Sequence, residues 1–195
     1  MDLVVSIILT LFLLPFIASI SFLVSFDSGF PVFFSQKRLG RGGRTFHIWK
    51  FRTMVNNSAQ ILDEYLASNP EVRREWSKSH KLRNDPRITR VGNFLRRTSL
   101  DELPQLWNVI NGDMSLVGPR PIVNAEVEKY AKHFSMYVKT TPGMTGLWQV
   151  SGRNHTTYQE RVALDAYYVR NWSVWMDIYL LAKTVAVVLT RHGAF

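Results

Sequence analysis

Two carboxylates stand side by side in TSLDELPQLW, Asp101 and Glu102. Adjacent acids suit general acid–base work, nucleophilic attack by a carboxylate, or a divalent cation held by one or two acids plus substrate phosphates. A structural account competes with these. Ser99-x-x-Glu102 matches a capping box, and acids are favoured in any first helical turn. Pro104 weighs against Ser99 as the cap, because it would fall fifth in the helix and its ring would meet the carbonyl of Leu100. With Asp101 as the cap, Pro104 falls third. The helix then begins at Glu102, with an N-terminus that favours an anion such as a substrate phosphate.

A carboxylate attacks a phosphate only where cations or a metal offset the like-charge repulsion. Arg96 and Arg97 come just before the pair, Arg120 follows in the stiff GPRP, and Arg153 comes later in TGLWQVSGRN. That last segment reads as a strand and a glycine turn presenting Arg153. Mg²⁺ bound by the two acids and the substrate's phosphates is the usual arrangement for such chemistry. Each arginine taken singly is more commonly solvated surface; their company with the acid pair is what points to a site.

The elements that must position these groups follow from patterning. Leu3 to Phe26 is an uncharged apolar run of 24 residues. As a helix it measures about 36 Å, against a hydrocarbon core of about 30 Å, so it belongs in a membrane. A signal peptide does not fit, because only Met1 and Asp2 precede the run and no A-x-A site follows it. Pro15 lies at its midpoint, removes one backbone hydrogen bond and presses on the carbonyl of Leu11. Either the helix spans with a kink and an external N-terminus, or it breaks at Pro15 and returns to the face it entered. Breaking inside lipid requires partners for freed carbonyls, and Ser19 and Ser21 are nearby.

Residues 37–52 carry Lys37, Arg38, Arg41, Arg44, Lys50 and Arg52 with no acid. This is a patch for anionic lipid, or one from which Lys50 or Arg52 reaches into a phosphate site. Glycines loosen its middle, and TFHIWKF (45–51) alternates as a short strand. Residues 57–79 read as polar helix, and Val91, Phe94 and Leu95 have helical spacing. Asn111-Gly112 stops the helix after the acid pair, and 156–171 suits another. Trp172 to Thr190 carries Trp172, Trp175 and Tyr179 before LLAKTVAVVL. Asp177 and Lys183 argue against a second span and for a helix at the membrane interface.

With 24 Lys and Arg against 15 Asp and Glu, the net charge of +9 favours an anionic partner without choosing among lipid, nucleic acid and phosphorylated substrate. No cysteine is present, so disulfides and Cys-based metal sites are excluded. The five histidines show no H-x-x-x-H spacing, which leaves a zinc helix without support. No nucleic-acid motif is present.

Taken together, the central-proline run, QKRLGRGGRTFHIWKFRTM, DPRITRVGNFLRRTSLDELPQLWNVINGDMSLVGPRP, and PGMTGLWQVSGRN followed by LDAYYVRNWS cover nearly the whole chain. In these segments the sequence resembles the bacterial sugar transferases, monotopic phosphoglycosyl transferases acting on polyprenyl phosphate. It looks most like the subgroup using UDP-galactose or UDP-glucose. The resemblance implies transfer of a hexose 1-phosphate from a UDP-sugar to undecaprenyl phosphate with release of UMP, early in surface polysaccharide synthesis. It implies Asp101 as nucleophile, Glu102 as its partner, both near Mg²⁺, and Arg120 and Arg153 on substrate phosphates or nucleotide. Lys50 and Arg96 are further candidates.

The resemblance also implies a re-entrant helix broken at Pro15 and both termini on the cytoplasmic face of the bacterial inner membrane. This reverses the preference for a simple span that the cost of a break in lipid suggests. Two places depart from the family pattern. Leu14 stands where members often carry serine, which leaves Ser19 to support the break. The usual basic residues ahead of the apolar run are missing, which fits a shortened N-terminus or the catalytic part of a longer type with extra membrane helices.

The expected fold is α+β and mostly helical: a membrane-embedded re-entrant helix-break-helix over 1–26, then a small cytosolic catalytic domain over 27–195 with short strands and amphipathic interface helices. An isologous homodimer is the commonest oligomer for such a chain. Two other readings stand beside the enzyme. One is an inactive membrane-tethered scaffold, against which the intact acid pair argues. The other is a binding module for anionic lipid or nucleic acid, whose binding would fall with salt and ignore Asp101.

Overall fold

The computed structural model describes residues 1–79, 82, 84–152 and 156–190. The apolar run forms one long helix, α1 (Asp2–Ser28), long and apolar enough to cross a membrane. Only 11 % of its most apolar window is buried, and Leu3, Val4, Ile8, Leu11, Phe12 and Leu14 are all exposed. The expected interruption at Pro15 is not seen: α1 runs through the proline as a single helix. The two serines do not supply the expected support either. Ser19 Oγ donates to the carbonyl of Pro15 (2.9 Å) and Ser21 Oγ to that of Ile17 (2.8 Å), each one turn back. The carbonyl that a proline at 15 deprives of its donor is that of Leu11.

Both ends of α1 are tied to the rest of the molecule. At its start, Asp2 Oδ2 accepts a 2.5 Å hydrogen bond from Ser115 Oγ. At its end, Asp27 Oδ2 accepts from the backbone N–H of Val91 at 3.0 Å. Between these points Val5 and Leu13 pack on one core cluster, and Ile17, Ile20 and Val24 on another. The helix therefore lies along one body over its whole length.

A hairpin follows: β1 (Phe33–Leu39) pairs antiparallel with β2 (Thr45–Phe51) around a turn containing Gly42 and Gly43, both at positive φ. The alternation expected for TFHIWKF holds through Trp49, with Phe46 and Ile48 buried and Thr45, His47 and Trp49 exposed; Phe51, on the face of Trp49, is buried with Ile20 and Val24 of α1 instead. The polar segment splits at Asn69-Pro70 into α2 (Ser58–Ser68) and α3 (Pro70–Ser79). Then come α4 (Arg90–Thr98) and α5 (Gln105–Ile110). A two-stranded parallel sheet joins β3 (Ser115–Val117) to β4 (Gly143–Thr145), separated by the short helices α6 (Val127–Tyr130) and α7 (Phe134–Tyr137). The chain continues through α8 (Leu147–Ser151), α9 (Tyr158–Arg170) and α10 (Val174–Thr190). Residues 147–151 are thus helix, where their sequence suggested strand. Gly146 at the N-cap, next to the backbone of Gly118, leaves β4 only three residues to pair.

The central core gathers Phe46, Ile48, Leu106, Val109, Leu116, Val150, Tyr168 and Leu180 from the hairpin, α5, β3, α8, α9 and α10. Two polar devices knit it. Asn108, 1 % exposed, donates from Nδ2 to the His47 carbonyl (2.7 Å) and accepts the Trp49 N–H on Oδ1 (3.1 Å). It thereby satisfies the free edge of β2 from α5. Asp177 accepts from Tyr168 Oη (2.7 Å) and Trp172 Nε1 (3.0 Å), and so anchors the start of α10. The acid that argued against a second span is structural, while Trp172, Trp175 and Tyr179 stay exposed along that helix.

Candidate active site

The segment carrying the acids is neither the capping box nor a helix starting at Glu102. Helix α4 ends at Thr98, Ser99 takes a left-handed conformation (φ 57°), and residues Leu100–Glu102 form a single 3₁₀ turn. Ser99 makes no side-chain cap, and α5 starts only at Gln105, with Pro104 at its N-cap. Proline explains the delay. It cannot donate an N–H and is comfortable only ahead of, or within, a first turn. The tight turn puts Asp101 and Glu102 together on the wall of a cavity of about 650 Å³. Helix α4 is held close by Gly92, where a Cβ would come within 2.1 Å of the Thr53 carbonyl oxygen. That contact lets Arg96 Nε donate to Thr53 Oγ1 at 2.8 Å.

The hairpin supplies the facing wall. Residues two apart along β1 share a face, so Phe34, Gln36 and Arg38 line the cavity together, and Lys50 joins them from its place opposite Phe34. Lys50 Nζ lies 2.5 Å from Glu102 Oε1 and 3.7 Å from Asp101 Oδ2. The two acids consequently differ. Burial pushes Asp101 up to about 6; the Glu102 charge adds to this, while Lys50 and Arg96 oppose it. Burial would raise Glu102 as well, but the charges of Lys50 and Arg120 outweigh it and hold the group down to about 2. Burial thus favours the neutral form of Asp101 while Lys50 favours the charged form of Glu102, a division that marks many carboxylate pairs at reactive sites.

The cavity brings together most of the candidates. Lys50, Arg96 and Arg120 line it with the acids. Arg97, one residue from Arg96, is exposed and takes no part in the lining. Arg52 lines the mouth and donates to Asn56 Oδ1. Arg153 lies outside the described residues. Arg120 sits in a loop pinned by Gly118 N–H to the Thr145 carbonyl (2.9 Å) and Gly143 N–H to the Pro119 carbonyl (2.8 Å). Its guanidinium lies 5.9 Å from the centre of the Trp148 ring. Pro15 is remote in role, as a member of α1 alone. Thr53 and Arg38 line this cavity too; the sequence offered Arg38 only as one member of the basic stretch and Thr53 not at all. For Gln36 and Arg38 the strand alternation was the available signal.

The acids are a fit for Mg²⁺ by the chemistry of the donor set. Two adjacent carboxylates in a polar cavity suffice for an ion that completes its shell with water and substrate phosphate. Among the described residues no cluster of three or more His, Cys, Asp or Glu forms a self-sufficient metal cage.

A body carrying a membrane-length apolar helix, with a carboxylate pair faced by Lys and Arg in one cavity, defines a site suited to phosphoryl groups at a lipid surface. The chain belongs to the bacterial sugar transferase family, whose pattern matches residues 1–191. It is 54 % identical over 194 residues to the UDP-galactose-lipid carrier transferase of Erwinia amylovora, covering 100 % of this chain and 40 % of that protein. It is 44 % identical over 194 residues to the exopolysaccharide production protein ExoY of Sinorhizobium fredii, covering 100 % of this chain and 86 % of the relative. It is 40 % identical over 202 residues to the UDP-glucose:undecaprenyl-phosphate glucose-1-phosphate transferase of Escherichia coli, again 100 % of this chain and 40 % of the relative. The chain thus spans about two-fifths of the length of some curated relatives and most of another.

Proposed function

We propose that this chain transfers a hexose 1-phosphate from a UDP-sugar to undecaprenyl phosphate, releasing UMP, through a covalent phosphosugar on Asp101. The observation that carries the reading is the carboxylate pair, one member raised and one lowered, in a cavity lined by Lys50, Arg96 and Arg120. The 54 % identity to a galactose-named relative, against 40 % to a glucose-named one, makes UDP-galactose the first donor to try.

Asp101, ionised, attacks the sugar-side phosphorus, and the bond to the bridging oxygen breaks as UMP leaves. The acceptor phosphate oxygen then attacks the acyl phosphate and frees Asp101. Dividing the transfer lets a soluble donor and a lipid acceptor use one site in turn. Lys50 and Arg96 reduce the repulsion between carboxylate and phosphate, and Arg120 holds substrate phosphate. Glu102, kept anionic, pins Lys50 in place. Asp101 and Glu102 would hold Mg²⁺, which when bound supplies charge neutralisation on the phosphates.

The site works at the cytoplasmic face of the bacterial inner membrane. Helix α1 supports that placement, because Asp2 and Asp27 at its two ends both bind the same body. A helix crossing the bilayer would carry one end to the far side, about 30 Å away. The two anchored ends thus favour a placement of α1 against one face of the membrane over a span. Exposed Trp172, Trp175 and Tyr179 on and beside α10 suit the headgroup level.

The test is UMP release by detergent-solubilised protein given Mg²⁺, undecaprenyl phosphate and UDP-galactose or UDP-glucose. Release is expected to need both the lipid and the metal and to disappear in Asp101→Asn. Undiminished release by that variant would remove Asp101 as nucleophile.

A further inference from the structure

Two cations lining the cavity, Arg52 and Arg38, have no place in the scheme above, and Arg38 is the more buried on its hairpin wall. Arg38, with its side chain 16 % exposed, lines the same cavity as Glu102 and Arg120. Its own partners satisfy it poorly. Nη2 donates to Gln36 Oε1 at 2.7 Å, but the Pro121 carbonyl is 3.4 Å from Nη1 and Glu126 is 3.8 Å away. Nε is buried with no partner at all. A guanidinium has five N–H groups arranged to fork onto a planar anion, and here most of them are loosely used. Burial disfavours the Arg38 charge most, and the like charge of Arg120, which lines the same cavity, adds to it. Two arginines held together on one polar wall gain from an anion placed between them.

Its position says which anion. Arg38 and Lys50 are four rungs apart on the hairpin ladder, since Arg38 pairs with Phe46 and Lys50 with Phe34. At the usual rise this separates their backbones by about 13 Å. The Lys50 end of the hairpin packs through Phe51 against Ile20 and Val24 of α1. The Arg38 end packs through Leu39 with Ile122, Tyr137 and Val162, a cluster to which α1 contributes nothing. Arg38 thus stands four rungs along the cavity wall from the Lys50 end, set back from the phosphorus that Asp101 attacks, where the leaving half of the donor rather than the lipid phosphate would lie.

We propose that Arg38, held by Gln36, binds the phosphate of the departing nucleoside monophosphate, with Arg120 between it and the acid pair; this rests on the transferase reading. As the Asp101 oxygen bonds to the sugar-side phosphorus, the bond from that phosphorus to the bridging oxygen breaks. The electron pair stays on that oxygen, which becomes a terminal oxygen of UMP. No proton is needed. The charge gained by the leaving group falls between Arg120 and Arg38.

The experiment compares wild type with Arg38→Gln. UMP binding is measured by calorimetry on the solubilised protein. UMP release in a single turnover without acceptor, and the KM for undecaprenyl phosphate, are measured alongside. Removing one charge-assisted clamp on a developing anion is expected to slow single-turnover release about 10²-fold and to weaken UMP binding about tenfold, with the acceptor KM unchanged. A role confined to holding the Pro121 loop would instead leave UMP affinity intact and lower the melting temperature, which overturns the assignment. A rise in the acceptor KM with UMP binding unchanged also overturns it, in favour of the lipid phosphate. Wild type that releases no UMP from any UDP-hexose sinks the transferase reading, while the UMP titrations still decide Arg38. If Arg38→Gln does not fold, Arg38→Lys keeps the charge, loses the fork and is read the same way.

Discussion

Asp101 and Asp165 are both buried aspartates, 9 % and 2 % exposed, and burial raises both, to about 6 and about 7. Their surroundings differ in kind. Asp165 lies in the interior of α9, accepts the Tyr130 hydroxyl at 2.7 Å on Oδ2, and leaves Oδ1 without a partner. Asp101 opens onto a large cavity, with Lys50 3.7 Å away and Glu102 beside it. Burial alone therefore makes an acid that resists ionisation. Burial with flanking cations and an open approach makes one that can lose its proton and meet a phosphate.

The largest test of that contrast is chemical. Incubated with the donor sugar and Mg²⁺, wild type is expected to gain the mass of one phosphohexose, while Asp101→Asn gains none and loses at least about 10³-fold in turnover. An adduct on Asp101→Asn, read by intact mass, would erase the distinction between the two acids. The second test concerns stability. The folded pKa of Asp165 exceeds its unfolded value, so the folded state binds the extra proton. Its contribution, a few kcal/mol in all, is fully present below about pH 4 and is lost as pH rises towards 7. Asp165→Asn should flatten that slope in denaturant melts taken across this range; an unchanged slope would mean the carboxyl is not held neutral.

Smaller effects probe what keeps the cavity in register. Asn108→Ala leaves the His47 carbonyl and Trp49 N–H on β2 without their partners and should cost about 2 kcal/mol, seen as a lower urea midpoint. Trp175→Ser, at an 80 % exposed position, should leave folding alone and cut sedimentation with anionic vesicles by about 1–2 kcal/mol of binding. Equal vesicle binding would remove α10 from the interface.

Patterning revealed most of the elements. Residues 45–49 alternate because one face of β2 meets the core and the other is exposed until Phe51 turns in against α1, and the helix over 156–171 is set by Thr157 and Glu160, which cap each other. The acid pair was legible as a type and not as a geometry. The left-handed Ser99 and the 3₁₀ turn depend on how α4 seats on Thr53 through Gly92, a long-range contact that no local pattern carries. Arg96 and Arg97, adjacent on α4, point apart by helix geometry alone, but which of them meets the site depends on the distant Thr53. The end-to-end docking of α1 was hidden for a similar reason, since Asp2 and Asp27 look like flanking charges until Ser115 and Val91 are seen beside them.

That docking has a mechanical consequence. On the one-face placement proposed above, a helix clasped at both ends by one body would push lipid aside in the nearer leaflet only and would enter the bilayer as a wedge. How deep the wedge sits fixes the height of the cavity mouth above the acyl chains, as ballast sets the waterline of a hull. Lengthening or shortening α1 by a turn would raise or lower Asp101 against the headgroups while leaving the chemistry of the cavity untouched.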